Sequence, residues 1–147
     1  MAGYSGTPLP RKLGIAAGHR VAFAGAPDDF RHALGPLPDG VAVRTRVRAP
    51  LDVIVAFFIR RSALERRFPR LAAALQPDGG LWIAWPKGSS GVTTDLTEDV
   101  VRAIAIANGM VDNKVCAIDD TWSGLRLVYR LRDRPPRQVR GRAHASR

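Results

Sequence analysis

The sequence predicts a three-layer α/β domain whose sheet is mostly parallel and ends in an antiparallel hairpin. Three observations support this fold class. The run LDVIVAFFI shows no polar alternation, as expected of a strand covered on both faces. A helical pattern, DLTEDVVRAIAIANG, lies between two apolar strands and favours a parallel crossover. Finally, two apolar segments joined by a short polar turn at Asp119 and Asp120 predict a hairpin.

Length and composition indicate one folded domain. The chain has 147 residues, with 46% hydrophobic and 24% charged residues. Its longest apolar run, residues 53–59, is far shorter than the roughly 20 residues of a membrane helix. The first residues lack the apolar core of a signal peptide, and Cys116 is the only cysteine. We therefore expect a cytoplasmic protein with no membrane segment.

Positive charge is concentrated at the end of the chain. The net charge is +10, and seven arginines but one aspartate follow from Arg130 onward. Because this end has prolines and few large apolar groups, we expect residues 133–147 to be a disordered basic tail. Arginine suits phosphates, so the tail offers nucleic-acid candidates in Arg137, Arg140 and Arg142. A merely solvated tail is the alternative that we favour.

The first part of the chain predicts an arm followed by short elements. Prolines and glycines in residues 1–18 predict an extended arm, so the α/β domain would span residues 19–132. The strand HRVAFAGA and the brief helix DDFRHALG come next. The following strand, VAVRTRVRAP, places three arginines on one face, which is typical of a sheet edge and gives a second nucleic-acid candidate: Arg44, Arg46 and Arg48.

After the central strand, Ser62 and Glu65 form a capping-box pattern that predicts a helix start. Its buried stripe has helical spacing and consists of Leu64, Phe68, Leu71 and Leu75. Pro69 lies inside this pattern and predicts a kink or two short helices.

The second half of the chain is easier to divide into elements. The strand GLWIAWP covers residues 80–86 and leads through the loop KGSSGVTTD to a second helix. We expect that helix to begin at a capping box of Asp95 and Glu98. The hairpin strands are predicted at residues 111–118 and 124–132.

A ligand site is expected beyond the carboxyl ends of the parallel strands, where ligands bind in open α/β sheets. The segments expected at this rim carry tryptophans, a lysine, hydroxyls and carboxylates. The ligand-binding candidates are Gly25, Trp85, Lys87, Ser89, Asp119, Asp120, Trp122 and Ser123. Polar loops gather at this edge in any such fold, so a ligand site and an ordinary polar rim are equal alternatives.

Each candidate also has a structural explanation. The segment KGSSG would hold an anion beside Lys87 or, as we favour, act as a flexible linker. Asp119 and Asp120 would be an acid/base pair or ordinary turn residues. Trp122, which we expect in the turn, is harder to explain by packing. The three histidines lack metal-ligand spacing, so no metal site is predicted, and Cys116 is expected to be buried.

The element order resembles the Rossmann-like fold of S-adenosylmethionine-dependent methyltransferases with one element trimmed. The opening LGIAAGHRVAFAGAP resembles the stretch across the first strand of those enzymes. The phrases WPK, DLTEDVVR, VDNKVCAID and WSGLR are more similar to a small bacterial family catalogued only as a domain of unknown function. This resemblance implies a methyltransferase-like scaffold and no established activity.

The chain departs from the methyltransferase pattern where the cofactor would bind. Those enzymes carry a Gly-x-Gly-x-Gly-type loop after the first strand, whereas Gly25 stands here without further glycines. They use an acidic residue at the end of the second strand to hold ribose hydroxyls, whereas residues 46–48 read Arg-Val-Arg. Asp28 and Asp29 open the first helix and would repel a phosphate placed at that helix end.

These observations favour a non-catalytic methyltransferase-like domain that binds a small ligand or a protein partner at the rim. We expect no cofactor in that case. The first alternative is a methyltransferase that binds S-adenosylmethionine through an atypical loop. The second is a nucleic-acid-associated protein that uses its basic tail.

Overall fold

A computed structural model describes residues 6–138 and contains a six-stranded sheet of order β2-β1-β3-β4-β6-β5. The strands are β1 Arg20–Ala24, β2 Ala42–Arg44, β3 Leu51–Phe57, β4 Leu75–Pro86, β5 Met110–Ala117 and β6 Trp122–Tyr129. The helices are α1 Leu9–Lys12, α2 Phe30–Leu34, α3 Arg61–Ala74 and α4 Glu98–Ala107, with 3₁₀ turns at Gly88–Ser90 and Leu131–Asp133. Strands β1 to β4 are parallel, and β6 is antiparallel to both β4 and β5. The predicted fold class is confirmed.

The core lies on both faces of the central strand. Every residue of β3 is buried, and from Val53 to Phe57 the side chains alternate between two apolar clusters. One cluster is covered by α3 and α4, through residues such as Phe68 and Val101. The other is covered by α2 and the N-terminal segment, through residues such as Phe30 and Leu13. The three predicted layers are therefore present. No helix within residues 6–138 is long and apolar enough to cross a membrane.

The N-terminal segment packs onto the sheet, so the predicted extended arm is wrong within residues 6–18. It contains α1, whose second position is Pro10, a site where a helix tolerates proline. Leu13 and Ile15 are buried in the second cluster. The indole Nε1 of Trp82 donates a hydrogen bond to the Leu13 carbonyl at 2.9 Å. This segment covers the sheet face that lies opposite α3.

The strand predicted to carry the arginine stripe is shorter than expected. Only Ala42–Arg44 pair with β1, at the edge of the sheet, so the edge position is confirmed. Arg46 and Arg48 lie in the connection to β3 and not in a strand. This connection is six residues long, 45–50, and contains no helix. Val47 packs against the first cluster, so the connection crosses β1 on the α3 side.

Both predicted capping boxes are wrong. The N-cap of α3 is Arg60, and Ser62 lies inside the helix. The first turn is instead bound from a distant segment, because the Arg61 amide donates to Asp95 Oδ1 at 2.7 Å. The N-cap of α4 is Thr97, whose Oγ1 accepts from the Val100 amide at 3.2 Å.

Pro69 does not divide α3, which runs without interruption from Arg61 to Ala74. The predicted pair of short helices is therefore wrong. The helix buries Leu64, Phe68 and Leu71 on one face, and this packing holds the proline within it.

Part of the predicted disordered tail is bound to the domain. Gln76, only 2% exposed, donates from Nε2 to the Gln138 carbonyl at 3.0 Å and accepts from the Gln138 amide at 2.9 Å. Arg137 pairs with Asp78 at 2.7 Å. Arg137 and Gln138 are therefore held against the domain, and residues 139–147 lie outside the described part.

Candidate functional site

Four chain segments meet at the carboxyl ends of the parallel strands, as predicted. Strands β1, β3 and β4 end there, and β6 begins there because Trp122 pairs with Pro86, the last residue of β4. The amide of Lys87 donates to the Thr121 carbonyl at 2.8 Å. The loop after β4 and the hairpin turn are therefore directly joined.

Gly25 lies where the chain leaves β1, at the point where the sheet order reverses between β1 and β3. Its φ is +66°, and a Cβ at this position would be 3.1 Å from the Phe57 carbonyl oxygen. A side chain would be strained here by both the dihedral angle and the contact. The residue at the switch point therefore has no side chain, and its backbone is accessible to a ligand.

The hairpin turn uses Asp119 as its organising residue. Its Oδ1 accepts from the amides of Thr121 and Trp122, each at 2.8 Å. Asp120 is exposed beside it. The turn alternative accounts for Asp119, because its carboxylate already binds two backbone amides.

Trp122 is the first residue of β6 and not part of the turn, so its predicted position is corrected. Its ring meets Phe57 edge to face with centroids 5.1 Å apart. Phe30 makes edge-to-face contacts with both Phe57 and Phe23, with ring centroids 5.0 Å apart in each pair. This aromatic row explains the tryptophan by packing.

The remaining aromatic and hydroxyl candidates differ in exposure. Trp85 is buried in the first cluster, under α3 and α4, and pairs across the ladder with Ser123. Ser89 is exposed in the loop after β4. The structure therefore brings these candidates near one edge without directing them all at one pocket.

The loop KGSSG is folded, so the flexible-linker interpretation is corrected. Residues Gly88–Ser90 form a 3₁₀ turn, and Ser90 Oγ donates to the Lys87 carbonyl at 2.7 Å. The amide of Val92 donates back to Ser90 Oγ at 3.2 Å. Within residues 6–138, no carboxylate pairs with the half-buried Lys87.

The loop continues into a second anchor that the sequence reasoning missed. Thr94 Oγ1 donates to the Ile59 carbonyl at 2.7 Å and accepts from the Leu96 amide at 3.1 Å. Asp95 accepts a hydrogen bond from the first amide of α3. Thr94 and Asp95 thus fix this segment to the chain that follows β3. The polar triplet Thr93-Thr94-Asp95 is the only signal of this in the sequence.

A cleft of about 350 Å³ lies at the carboxyl end of β1, on the α3 side of the sheet. Its lining residues come from β1, from the connection to β3 and from α3: Ala22, Phe23, Ala24, Gly25, Thr45, Arg46, Val47, Arg67 and Arg70. Three of them are arginines, and none is acidic. Of the three, the sequence analysis identified only Arg46. The spacing of Arg67 and Arg70 on one helix face was the available signal for the other two.

A second cleft, of about 300 Å³, lies at the opposite edge and involves Asp52, Asp78 and Arg137. Three of its charged residues have partners within the fold, because Asp52 accepts from the Arg20 amide at 2.8 Å and Arg137 pairs with Asp78. Arg126 also lines this cleft and donates to Asn113 Oδ1 at 3.3 Å. His19 borders this cleft, and its Nδ1 accepts from the Ala16 amide. In the described part of the chain, no group of three His, Cys, Asp or Glu residues is placed to hold a metal ion.

No protein-family model and no curated protein matches the sequence, so the resemblance to the unknown-function family stays a prediction. Solved methyltransferase structures do match the fold. Magnesium protoporphyrin IX methyltransferase from Synechocystis PCC 6803 with bound SAM is 11% identical, with a TM-score of 0.54 over 83% of this chain and 74% of that one.

Two further structures match over about half of their own length. The O-methyltransferase from neocarzinostatin biosynthesis, in complex with S-adenosyl-L-homocysteine and 1,4-dihydroxy-2-naphthoic acid, is 13% identical, with a TM-score of 0.56 over 88% of this chain and 52% of that one. Mitomycin 7-O-methyltransferase is 12% identical, with a TM-score of 0.52 over 80% of this chain and 50% of that one. At such identities the likeness concerns the fold alone. This chain therefore has a methyltransferase-like, Rossmann-like fold.

Proposed function

We propose that this chain is an S-adenosylmethionine-dependent methyltransferase with an atypical cofactor site at the carboxyl end of β1. The observation that carries the proposal is Gly25, which leaves the backbone bare at the switch point of a methyltransferase-like sheet. The similar structures solved with SAM or S-adenosyl-L-homocysteine give this fold-level support.

The residues present do not fit the usual mode of holding the cofactor ribose. Arg46 follows β2 where an acidic residue would accept hydrogen bonds from the ribose hydroxyls. A guanidinium is a hydrogen-bond donor only, so it can donate to the ribose hydroxyl oxygens but cannot accept hydrogen bonds from the hydroxyl groups. We therefore derive no catalytic step, and the proposal depends on a direct binding measurement.

That measurement is a calorimetric titration of the folded protein with S-adenosylhomocysteine. We expect saturable binding, weakened at least about tenfold by Gly25→Ala because strain and contact alter the bare backbone. Gly109→Ala is the matched control, since Gly109 also has a positive φ, +84°, but lies between α4 and β5. If Gly25→Ala and Gly109→Ala bound S-adenosylhomocysteine equally well, Gly25 would not be part of the binding site.

The second candidate function is a non-catalytic domain that binds a ligand or partner at the rim. It is favoured by the loop contacts there, which hold Lys87 beside the hairpin turn with no described carboxylate paired to it. An absence of heat with S-adenosylhomocysteine, from protein shown to be folded, would make this candidate the leading one.

Nucleic-acid association stays a prediction. Arg44, Arg46 and Arg48 are exposed near the β2 edge, and Arg137 is paired with Asp78. Arg140 and Arg142 lie outside the described residues.

A further inference from the structure

We propose that the arginine-lined cleft beside β1 binds a small molecule through a phosphate group. The cleft is the one of about 350 Å³ lined by Arg46, Arg67 and Arg70. This inference goes beyond the proposed function, because it concerns the arginines of the cleft. Gly25 also lines the cleft, so a phosphate ligand and S-adenosylmethionine would compete for the same space.

The charges of the cleft are unbalanced. Within residues 6–138, no carboxylate pairs with Arg46, Arg67 or Arg70. Other arginines within residues 6–138 do form ion pairs with carboxylates, namely Arg61, Arg102, Arg130 and Arg137. Three exposed arginines therefore line one cavity, and an anion bound there would be attracted by all three.

The helix supplies no counter-charge of its own. Arg67 and Arg70 are three residues apart on α3 and therefore share a face. The one acidic residue of that helix, Glu65, pairs with Arg61 at 3.2 Å. Arg67 lies over the Phe58 ring, with its Cζ 5.9 Å from the centroid, which holds the guanidinium against the end of β3.

The short connection between β2 and β3 leaves the space open. Residues 45–50 contain no helix, and small side chains of β1, Ala22 and Ala24, form part of the floor. The volume is at the lower end of ordinary ligand sites, so the cleft suits a small ligand. Arginine forks match the geometry of phosphate oxygens, which indicates phosphate as the group recognised.

The aspartates that would repel a phosphate are not part of this cleft. Asp28 and Asp29 precede α2, which packs in the second cluster, on the other face of the sheet. Neither lines the cavity. Neither aspartate is therefore in direct contact with an anion bound in the cleft.

The test is calorimetry with inorganic pyrophosphate at low salt. We expect saturable binding that Arg46→Gln and Arg70→Gln each weaken by about tenfold or more, as for loss of a charged hydrogen bond. Arg66→Gln is the matched control, because Arg66 is an exposed arginine of the same helix that does not line the cleft. Thermal unfolding of each variant separates loss of binding from loss of folding.

Two results would overturn the inference: no saturable binding at millimolar pyrophosphate, or equal weakening by Arg66→Gln. Tighter binding of ATP than of pyrophosphate would support the inference with a nucleotide as the source of the phosphate, and equal affinity would support a phosphate group alone. S-adenosylhomocysteine, which carries no phosphate, is titrated in parallel. Failure of that ligand alone contradicts only the methyltransferase proposal.

Discussion

Asp95 and Asp119 show how individual carboxylates stabilise the rim. Asp95 binds the first amide of α3, and Asp119 binds two amides of the hairpin turn. Each holds a loop at the carboxyl edge of the sheet in one conformation. The rim is therefore an ordered surface on which the half-buried Lys87 and the exposed Asp120 have defined backbone positions.

Cys116 gives a prediction at the same scale. Burial raises the pKa of its thiol, while the charges of Lys12 and Lys114 act in the opposite direction. A raised pKa lowers the thiolate fraction at a given pH, so alkylation at pH 8 should be slower than for a free thiol such as glutathione. Following iodoacetamide labelling against pH by mass spectrometry measures this.

The lysine charges provide the control for that measurement. Lys114→Ala removes one of the charges that lower the thiol pKa, so labelling should become slower still. A folded protein that reacts at the rate of glutathione would contradict the expected protection.

At the scale of elements, the helix starts give a direct comparison of two hydroxyl residues. Thr97→Ala should lower the free energy of unfolding by about 1 kcal/mol, because Thr97 is the N-cap of α4. Ser62→Ala should have little effect, since Ser62 is exposed inside α3 and alanine favours a helix interior. Urea unfolding of both variants measures the difference. A larger loss for Ser62→Ala would restore the capping box predicted from the sequence.

The elements divide into those that local patterns predict and those that depend on distant contacts. Strands β3 and β4 and the final hairpin follow from apolar runs and a polar turn. The start of α3 does not, because the Arg61 amide is bound by Asp95, 34 residues away. The start of α4 is a local cap by Thr97, two residues after the predicted Asp95. The N-terminal segment was missed for the same reason, since the Trp82 indole holds the Leu13 carbonyl from 69 residues away.

The candidate site, too, was predictable only in the parts that do not depend on distant side-chain contacts. The crevice rule, applied to the strand order that the methyltransferase resemblance implies, predicts Gly25 and the two loops at one edge of the sheet. Trp122 was wrongly predicted in the turn, because the local sequence does not show that its ring packs against Phe57. The arginine cleft was missed because Arg46 and Arg70 come together only when the β2–β3 connection crosses β1 beside α3.

At the scale of the whole molecule, residues 134–138 tie the end of the described chain to the start of β4. Ending the chain at Asp133 would remove Gln138 and leave the buried Gln76 amide without its partners. We expect the free energy of unfolding to fall by about 1–3 kcal/mol. Urea unfolding of the shortened chain tests this.

The matched variant for this truncation ends at residue 139, which keeps the Gln138 carbonyl within a peptide bond. Its stability should equal that of the full chain if the Gln76–Gln138 contact accounts for the loss. Equal losses in the two truncations would assign the effect to residues beyond 139 instead.

The sheet order also affects the chain while it is being synthesised. Strand β4 lies in the middle of the sheet, but one of its two neighbours, β6, is the last strand within residues 6–138. Until Tyr129 has left the ribosome, one side of an apolar strand has no hydrogen-bonding partner. An unpaired strand edge of this kind can pair with strands of other molecules. The nascent chain is therefore prone to aggregation until β6 forms and pairs with β4.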